Sequence, residues 1–362
     1  MRKAFTLIEL LVVIVIIGVL ATLAVVAISS ARTKARDAKR ISDLKQISTA
    51  LEMYHADYTA YPNLITPGQP LVSEDGTKTY MAKVPNNPTP RAEGACADLD
   101  YQYSAGNDNY SLIGCLSKAV GDVPAGARKI EKSGQARDLG PTNGLVGWWM
   151  LDGINGTKDL SGNGVNGSIL GGAGAVVTST GRFGEANGAY SFDGSSGFVN
   201  TTNSLAKEGD LTMSCWFNAA NLNGYPYIFN AGIGGTTYTG AGFILYPNGQ
   251  INFNWRYGTA GVAAGNSVFS TTLVELDAWY QVVATVVAGN PATVKLYMNG
   301  DYEKQSTDTE FNLVRSAGPV WTIGKYWGSN TNYFNGKINE CRLYNRALSG
   351  DEVSALYEAT KP

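Results

Sequence analysis

The chain begins with MRKAFTLIELLVVIVIIGVLATLAVVAI, residues 1–28. Only Thr22 is polar between Leu10 and Ile28. As a helix this stretch would extend about 29 Å, which is enough to cross the hydrocarbon core of a bilayer. We therefore expect a transmembrane helix. A secretory signal peptide is the alternative, because small residues occur toward the end of the apolar stretch.

Glu9 lies at the edge of this apolar stretch, where an unpaired carboxylate is energetically costly. No other charged residue occurs between Glu9 and Arg32, so the partner of Glu9 has to come from elsewhere. Cleavage between Ala4 and Phe5 would create a new amine close to Glu9 in sequence. In a stack of such helices this amine can meet the Glu9 of a neighbouring subunit. The motif therefore predicts polymerisation.

These residues resemble the class III signal of type IV pilins and type II secretion pseudopilins: a basic leader, a small residue, Phe, then Glu and an apolar helix. The resemblance implies cleavage after Ala4 by a prepilin peptidase, N-methylation of Phe5 and assembly into a filament with Glu9 as the assembly residue. Two positions depart from the family pattern. Ala4 stands where the family usually has glycine, and Val26 stands where it often has proline.

After the apolar stretch, hydrophobic residues recur every three or four positions, which predicts that the helix continues with one buried face. These residues are Ile41, Leu44, Ile47, Leu51 and Tyr54. Short alternating segments follow near residues 80–88, 99–103 and 110–113 and predict a small antiparallel sheet. The sequence thus predicts a leader at 1–4 and an α+β pilin-like unit at 5–120, with 5–28 in the membrane.

Cys96 and Cys115 flank this predicted sheet. Since the pilin resemblance places the unit outside the cytoplasm, we expect them to form a disulfide. The alternative, a metal pair, lacks further Cys or His ligands. The chain has a single histidine, His55, which also excludes zinc sites with two histidines.

Residues 121–143 combine glycine, proline and scattered charges without a sustained period, and they predict a flexible linker. All seven tryptophans follow this segment. From residue 144 onward, alternating segments recur between Gly, Asn and Asp turns. Ser349 and Glu352 form a capping box before a short helix. The pattern predicts an all-β jelly-roll sandwich over 144–362, so that a chain of 362 residues contains about two domains.

Six blocks of this second unit resemble the laminin-G-like, concanavalin A-like jelly rolls of bacterial surface proteins. They are GWWMLD (147–152), DLSGNG (159–164), YSFDG (190–194), LTMSCWF (211–217), WYQVVAT (279–285) and FNGKINE (334–340). The resemblance implies a glycan, protein or lipid ligand. It also implies one structural Ca²⁺ held by Asp152 and Asp159, with Asn339 where relatives usually have aspartate. Ordinary turn residues are the alternative interpretation of these positions.

Cys215 and Cys341 fall at inward or nearly inward positions of two predicted strands that can be neighbours in this family. A second disulfide and two buried thiols are both consistent with the sequence.

Aromatic rings in or beside loops are candidate contacts for a sugar, because a ring can stack on the apolar face of a pyranose. The candidates are Trp255, Tyr257, Tyr326, Trp327 and Tyr333. For each of them, ordinary packing is the alternative.

Catalysis is not expected from this sequence. Retaining polysaccharide hydrolases need two carboxylates about 5–5.5 Å apart. The nearest match, ELDAWY at 275–280, lacks a third acid and falls where a turn should precede a strand. A nucleic-acid partner is not expected either. The net charge is -2, and residues 144–362 carry 12 Lys and Arg against 16 Asp and Glu.

The sequence therefore predicts a structural subunit of a type IV pilus-like filament that displays a lectin-like domain for adhesion to a glycan or another surface. The alternative is a type II secretion pseudopilin whose second domain contacts a secreted protein. The expected partners are the same or other pilins, the prepilin peptidase and an assembly platform in the inner membrane. The expected location is the inner membrane before assembly and the cell surface or an extracellular pilus afterwards.

Overall fold

The computed structural model of the protein describes residues 7–105, 109–120, 123, 125–132, 136–201, 209–233, 239–257, 264–289, 291–307, 320–328 and 331–362. Its first element is a helix of 52 residues, α1 (Leu7–Tyr58). The large apolar side chains between Leu10 and Ile28 are 46–68% exposed. This part of α1 has the length and composition of a membrane span, and none of its most apolar window is buried inside the described structure.

The second half of α1 carries the predicted apolar face, which is buried against a small sheet. Leu44 and Leu51 are at most 3% exposed and belong to one core cluster with Tyr110 and Leu112 of that sheet. The helix and the sheet approach closely, because a Cβ added to Gly114 would lie 2.8 Å from Cδ1 of Leu44. Glycine at this position lets the two layers meet.

The first unit, residues 7–140, contains six described strands. They are β1 (Leu71–Val72), β2 (Thr79–Met81), β3 (Gln102–Ala105), β4 (Tyr110–Leu116), β5 (Gly126–Ile130) and β6 (Ala136–Gly140). β1 and β2 form a hairpin, and β3 to β6 form a four-stranded antiparallel sheet in chain order. The expected disulfide between Cys96 and Cys115 is present, with an S–S distance of 2.02 Å.

The flexible linker predicted for residues 121–143 is wrong. β5 and β6 lie within this segment and extend the four-stranded sheet by pairing with β4 and with each other. Each of these two strands has only two apolar side chains, and charged residues lie between them. The alternation of apolar and polar residues that marks a strand is therefore weak in the sequence. Ala127 and Leu139 are nevertheless 1% exposed, because another part of the chain covers them.

The second unit, residues 144–362, contains fifteen described strands and one helix. They are β7 (Leu145–Trp149), β8 (Gly167–Leu170), β9 (Val176–Ser179), β10 (Ala189–Asp193), β11 (Phe198–Thr201), β12 (Leu211–Ala219), β13 (Tyr227–Ile233), β14 (Thr239–Leu245), β15 (Gln250–Tyr257), β16 (Ala264–Leu273), β17 (Trp279–Val287), β18 (Thr293–Met298), β19 (Asp301–Thr307), β20 (Val320–Ile323), β21 (Asn335–Tyr344) and α2 (Gly350–Thr360). The predicted capping box between Ser349 and Glu352 starts α2.

These strands form two antiparallel sheets, as expected for a jelly-roll sandwich. The eight-stranded sheet has the order β19-β18-β17-β12-β21-β10-β9, with β7 paired to β21. The seven-stranded sheet has the order β16-β15-β14-β13-β20-β11-β8. Side chains from both sheets fill one core between them, including Phe217 of the first and Phe229 of the second. A disulfide joins Cys215 of β12 to Cys341 of β21, which settles the alternative left open by the sequence.

The outer face of the eight-stranded sheet is covered by the four-stranded sheet and α2, and this interface is called the junction below. A hydrophobic cluster spans it. Its members are Ile113, Ala127 and Leu139 of the first unit, Leu145, Trp148, Met150, Leu160, Val283, Tyr297 and Tyr344 of the second unit, and Leu348, Val353 and Leu356 in and before α2. The two units therefore share buried apolar surface, which holds them together.

A buried ionic triad adjoins the junction on β21. The Glu340 carboxylate pairs with the guanidinium groups of Arg182 and Arg342, and all three side chains are at most 2% exposed. Arg182 Nε also donates to the carbonyl of Thr360 in α2 at 2.7 Å. Burial alone would raise the pKa of Glu340, but the two guanidinium groups outweigh it and hold the pKa below the usual range.

We expect Glu340→Gln to lower the free energy of unfolding by about 3–5 kcal/mol, because two buried guanidinium groups lose their counter-charge. Urea unfolding in detergent, followed by tryptophan fluorescence, measures this, since every tryptophan lies in the second unit. Glu358→Gln is the matched control. It breaks the exposed pair with Lys361 and should change stability by less than about 0.5 kcal/mol.

The pH dependence gives a second readout of the same variant. A carboxyl whose folded pKa is depressed adds stability above its unfolded pKa, and that stability is lost as the pH falls through the folded pKa. Wild-type protein should therefore lose stability more steeply than Glu340→Gln below about pH 4.3. Parallel curves for the two proteins would contradict the role assigned to Glu340.

Candidate functional site

The outer face of the seven-stranded sheet is the candidate binding surface, because the junction covers the opposite layer of the sandwich. On β15, Phe253 and Trp255 point into the core and are at most 1% exposed. Asn252 and Asn254 alternate with them and therefore lie on the outer face. This placement corrects the sequence prediction for Trp255, which is a core residue and not a ligand contact.

Three rings on this face form a cluster called the aromatic platform, made of Tyr227, Tyr326 and Trp327. The Tyr227 and Tyr326 ring centroids are 4.8 Å apart, and those of Tyr326 and Trp327 are 5.6 Å apart. All three side chains are partly exposed. The sequence predicted Tyr326 and Trp327 as candidates, and the fold brings them together with Tyr227 from β13.

The Trp327 ring packs against β13 and β14 at two glycines, Gly232 and Gly240. A Cβ added to Gly232 would lie 1.9 Å from the Trp327 ring, and one added to Gly240 would lie 3.1 Å from its Nε1. The Trp327 backbone N–H donates to Oδ1 of Asn230 at 3.1 Å. Two glycines and one backbone contact thus set the height and orientation of the indole.

Asn230 holds the loop that carries the platform. It is fully buried, and its Nδ2 donates to the carbonyl of Lys325 at 2.6 Å and to that of Thr322 at 3.3 Å. Because its Oδ1 accepts from the Trp327 N–H, both the donor and the acceptor of the Asn230 side-chain amide have hydrogen-bond partners. Asn230 is therefore a positioning residue for the platform.

Tyr333 belongs to a separate cluster. Its ring centroid is 6.3 Å from that of Phe198. Lys325 Nζ lies 4.2 Å from the Phe198 centroid and 5.6 Å from the Tyr333 centroid. Lys325 is only 7% exposed, and burial lowers its pKa. Tyr333 is thus a neighbour of a buried cation and not part of the platform.

Sequence reasoning missed Tyr227, Asn230 and Asn254, which line the face beside the predicted tyrosine and tryptophan. Asn254 Nδ2 donates to the Tyr227 hydroxyl at 3.4 Å. A signal was present in the alternation of Asn252 and Asn254 with core aromatics, which places both amides on the outer face. Asn254 is partly exposed there, whereas Asn252 is 1% exposed. The side chain of the fifth candidate, Tyr257, lies outside the described part of the structure.

Two of the residues expected to bind calcium are already engaged by protein donors. Asp152 accepts hydrogen bonds from the backbone and side-chain N–H groups of Asn155, and its Oδ2 lies 3.5 Å from Nζ of Lys129. Asp159 accepts from three backbone N–H groups and from the Ser161 hydroxyl. Both carboxylates stabilise turns at the start of the second unit.

Asn339, the third expected ligand, presents a donor. Its Nδ2 donates to the carbonyls of Met150 and Gly188 at 2.6 and 2.8 Å. Calcium takes six to eight oxygen ligands, and the part of the chain that the structure describes has no group of three or more His, Cys, Asp or Glu able to hold a metal. These residues do not fit the calcium site that the resemblance implied.

The acidic pair considered for hydrolysis lies in a turn. Glu275 and Asp277 are both exposed, between β16 and β17, and Asp277 has a left-handed φ of +60°. That the protein is not an enzyme stays a prediction.

The N-terminal processing residues Ala4 and Phe5 lie outside the described residues. Glu9 belongs to α1, but its side chain is also outside the description. Their roles in cleavage, methylation and assembly therefore stay predictions.

Basic residues that follow the membrane segment are paired inside the first unit. Arg36 Nη2 lies 2.7 Å from Oε1 of Glu93, and this contact holds the pKa of Glu93 below its usual range. Arg40 Nη1 lies 2.6 Å from Oδ1 of Asp37, with both side chains fully buried, and Arg40 Nε donates to Asn87. These bonds fix the loops before β3 onto α1.

Comparisons with known proteins match the two ends of the chain to different families. The prokaryotic N-terminal methylation motif matches residues 1–25, and the concanavalin A-like lectin/glucanases superfamily matches residues 193–354. No curated protein matches the chain.

Several solved structures are similar to the second unit. Domain 4 of AbnA, a GH43 extracellular arabinanase from Geobacillus stearothermophilus solved with arabinotriose, is 22% identical, with 59% of this chain and 98% of that chain covered and a TM-score of 0.47. The binding domain of Paraclostridial Mosquitocidal Protein 1 is 19% identical, with 60% and 52% covered and a TM-score of 0.44. A native heptameric SAP-like pentraxin from Limulus polyphemus is 17% identical, with 45% and 76% covered and a TM-score of 0.37.

The family matches agree with the fold on both sides of the junction. The methylation motif includes the start of the apolar helix α1, whose second half packs against a small sheet, and the superfamily match falls within the second unit. The chain thus carries the N-terminal methylation motif of type IV pilins and a concanavalin A-like domain, a combination that fits a pilus or pseudopilus subunit.

Proposed function

We propose that the protein is a filament subunit that is anchored in the inner membrane before assembly and displays a glycan-binding face on the cell surface afterwards. The observation that carries the proposal is the position of the aromatic platform. The junction covers the eight-stranded sheet with the first unit, so the seven-stranded sheet is the layer farther from the filament module. A face in that position is accessible to an external surface.

The chemistry of the face supports a sugar ligand. Aromatic rings bind the apolar C–H face of a pyranose, and nearby amides exchange hydrogen bonds with its hydroxyl groups. Tyr227, Tyr326 and Trp327 supply the rings, and Asn254 supplies an amide beside them. The rings are held by packing and by Asn230, so little ordering is needed when a ligand binds.

Replacing Tyr326 and Trp327 together by Ala should weaken glycan binding at least about tenfold, because both stacking surfaces are removed. Glycan-array screening followed by calorimetry measures this on the full chain in detergent, since the junction makes the second unit unsuitable for testing alone. Tyr302→Ala is the matched control, because Tyr302 is 55% exposed on β19 of the other sheet.

Three outcomes of that screen would contradict the proposal. The first is no glycan binding by the wild-type chain. The second is binding only to a co-expressed secreted protein, which would favour the pseudopilin alternative. The third is tight, salt-sensitive binding to DNA, which the acidic second unit does not predict.

Gly232→Ala should weaken glycan binding nearly as much as loss of Trp327, because the new methyl group overlaps the indole and must displace it. The ¹⁹F spectrum of fluorotryptophan-labelled protein should show one strongly shifted resonance. The control is Gly172→Ala, where an added Cβ meets nothing within 4 Å. Unchanged binding in Gly232→Ala would show that the flat orientation of Trp327 is not used.

Glu9→Gln should abolish incorporation into filaments, because the neutral amide cannot pair with the new N-terminal amine of an adjacent subunit. Sheared surface filaments are probed with an antibody to the second unit, and mass spectrometry of wild-type filaments should find methylated Phe5 as the first residue. Glu74→Gln, an exposed surface change, is the control. Equal incorporation of both variants would refute the assembly role of Glu9.

A further inference from the structure

A second aromatic cluster lies on the same outer face, at the opposite end of β14 from Trp327. Tyr225, Tyr246 and Phe269 form it. The Tyr225 and Tyr246 rings meet edge to face at 4.9 Å, and the Tyr246 and Phe269 rings meet in the same way at 5.1 Å. Tyr225 is 51% exposed, and the other two side chains are partly exposed.

Strand register places this cluster in line with the platform. Along β14 the outward positions are Gly240, Gly242 and Ile244, and Tyr246 follows them. Its backbone N–H donates to the Gln250 carbonyl at 2.9 Å, which continues the ladder. Six residues of strand extend about 20 Å. Trp327 lies over Gly240 and Tyr227 of the platform is opposite Ile244, so the platform follows the row from its start and the second cluster lies at its end.

The outward positions of β14 between Gly240 and Tyr246 expose little side chain. Gly242 has no side chain, and Ile244 is only 6% exposed. Register pairs Gly242 with Asn230 on one side and with Asn254 on the other. The described outward side chains beside β14 thus include aromatic rings and amides, and register places Arg256 of β15, whose side chain lies outside the described part of the structure, opposite Gly240. Aromatic rings and amides suit a hydroxyl-rich chain.

We propose that this face binds an internal segment of a linear polysaccharide lying along β14, with Tyr225 and Tyr246 as a second stacking subsite. The inference rests on the proposed glycan-binding function and names its ligand class. One end of the bound segment stacks on the aromatic platform. The other end reaches the second cluster only when the chain is long enough to span the row. A short oligosaccharide occupies the platform alone.

Affinity as a function of ligand length tests this inference. The probes are neutral linear oligosaccharides of glucose, mannose and xylose, one to six units long, titrated into the full chain in detergent. For at least one series, wild-type affinity should rise about tenfold from short to long members, as expected for one added stacking contact. The double replacement of Tyr225 and Tyr246 by Ala should remove this rise and leave the affinity for short members unchanged.

Two comparisons separate this inference from the function on which it rests. Trp327→Ala should weaken binding of short and long members alike, and Tyr302→Ala should change neither. Thermal unfolding of each variant should match that of wild type. If wild-type protein binds oligosaccharides with an affinity that does not rise with their length, the second subsite is refuted and the glycan-binding function is not. The same holds if the double variant keeps the rise in affinity. No binding of any member would overturn both proposals.

Discussion

The structure depends on burial of the outer face of the eight-stranded sheet beneath the four-stranded sheet and α2. In a jelly roll, the inner faces of the two sheets bury each other. Here the outer face of the eight-stranded sheet is buried as well. Trp148 and Tyr344 are fully buried in this junction. Because the cover consists of regular elements instead of a tether, the second half of α1, the small sheet and the sandwich form successive layers.

Such a junction also brings charged groups out of water, and two of them, Lys129 and Glu340, have partners of opposite charge. Lys129 of β5 lies between Glu131 and Asp152, at 2.6 and 3.5 Å. Burial alone would lower its pKa, but the two carboxylates outweigh this and raise it. Glu340 has the two guanidinium partners described above. Removing one member of such a set is costly, because the remaining charge stays buried without its counter-charge.

Sequence patterns predicted the elements whose apolar residues are numerous and regularly spaced. Leu44 and Leu51 lie on the buried face of α1 as the spacing indicated, and Cys96 pairs with Cys115. The strands β5 and β6 were missed because Ala127 and Leu139 are buried in the cluster that spans the junction, and α2, which packs against β6, is about 200 residues away in sequence. Trp255 was misassigned for a different reason. Its position near a loop in the sequence does not tell which face of β15 its side chain occupies.

The junction also limits where the subunit can fit in a filament. A domain on a flexible linker can move away from neighbouring subunits, whereas a domain fixed by a shared hydrophobic cluster cannot. The sandwich therefore occupies the same space beside α1 in every copy, and each neighbour has to leave that space open. We expect this requirement to favour positions with few neighbours, such as a filament tip, where the seven-stranded sheet stays accessible to a polysaccharide.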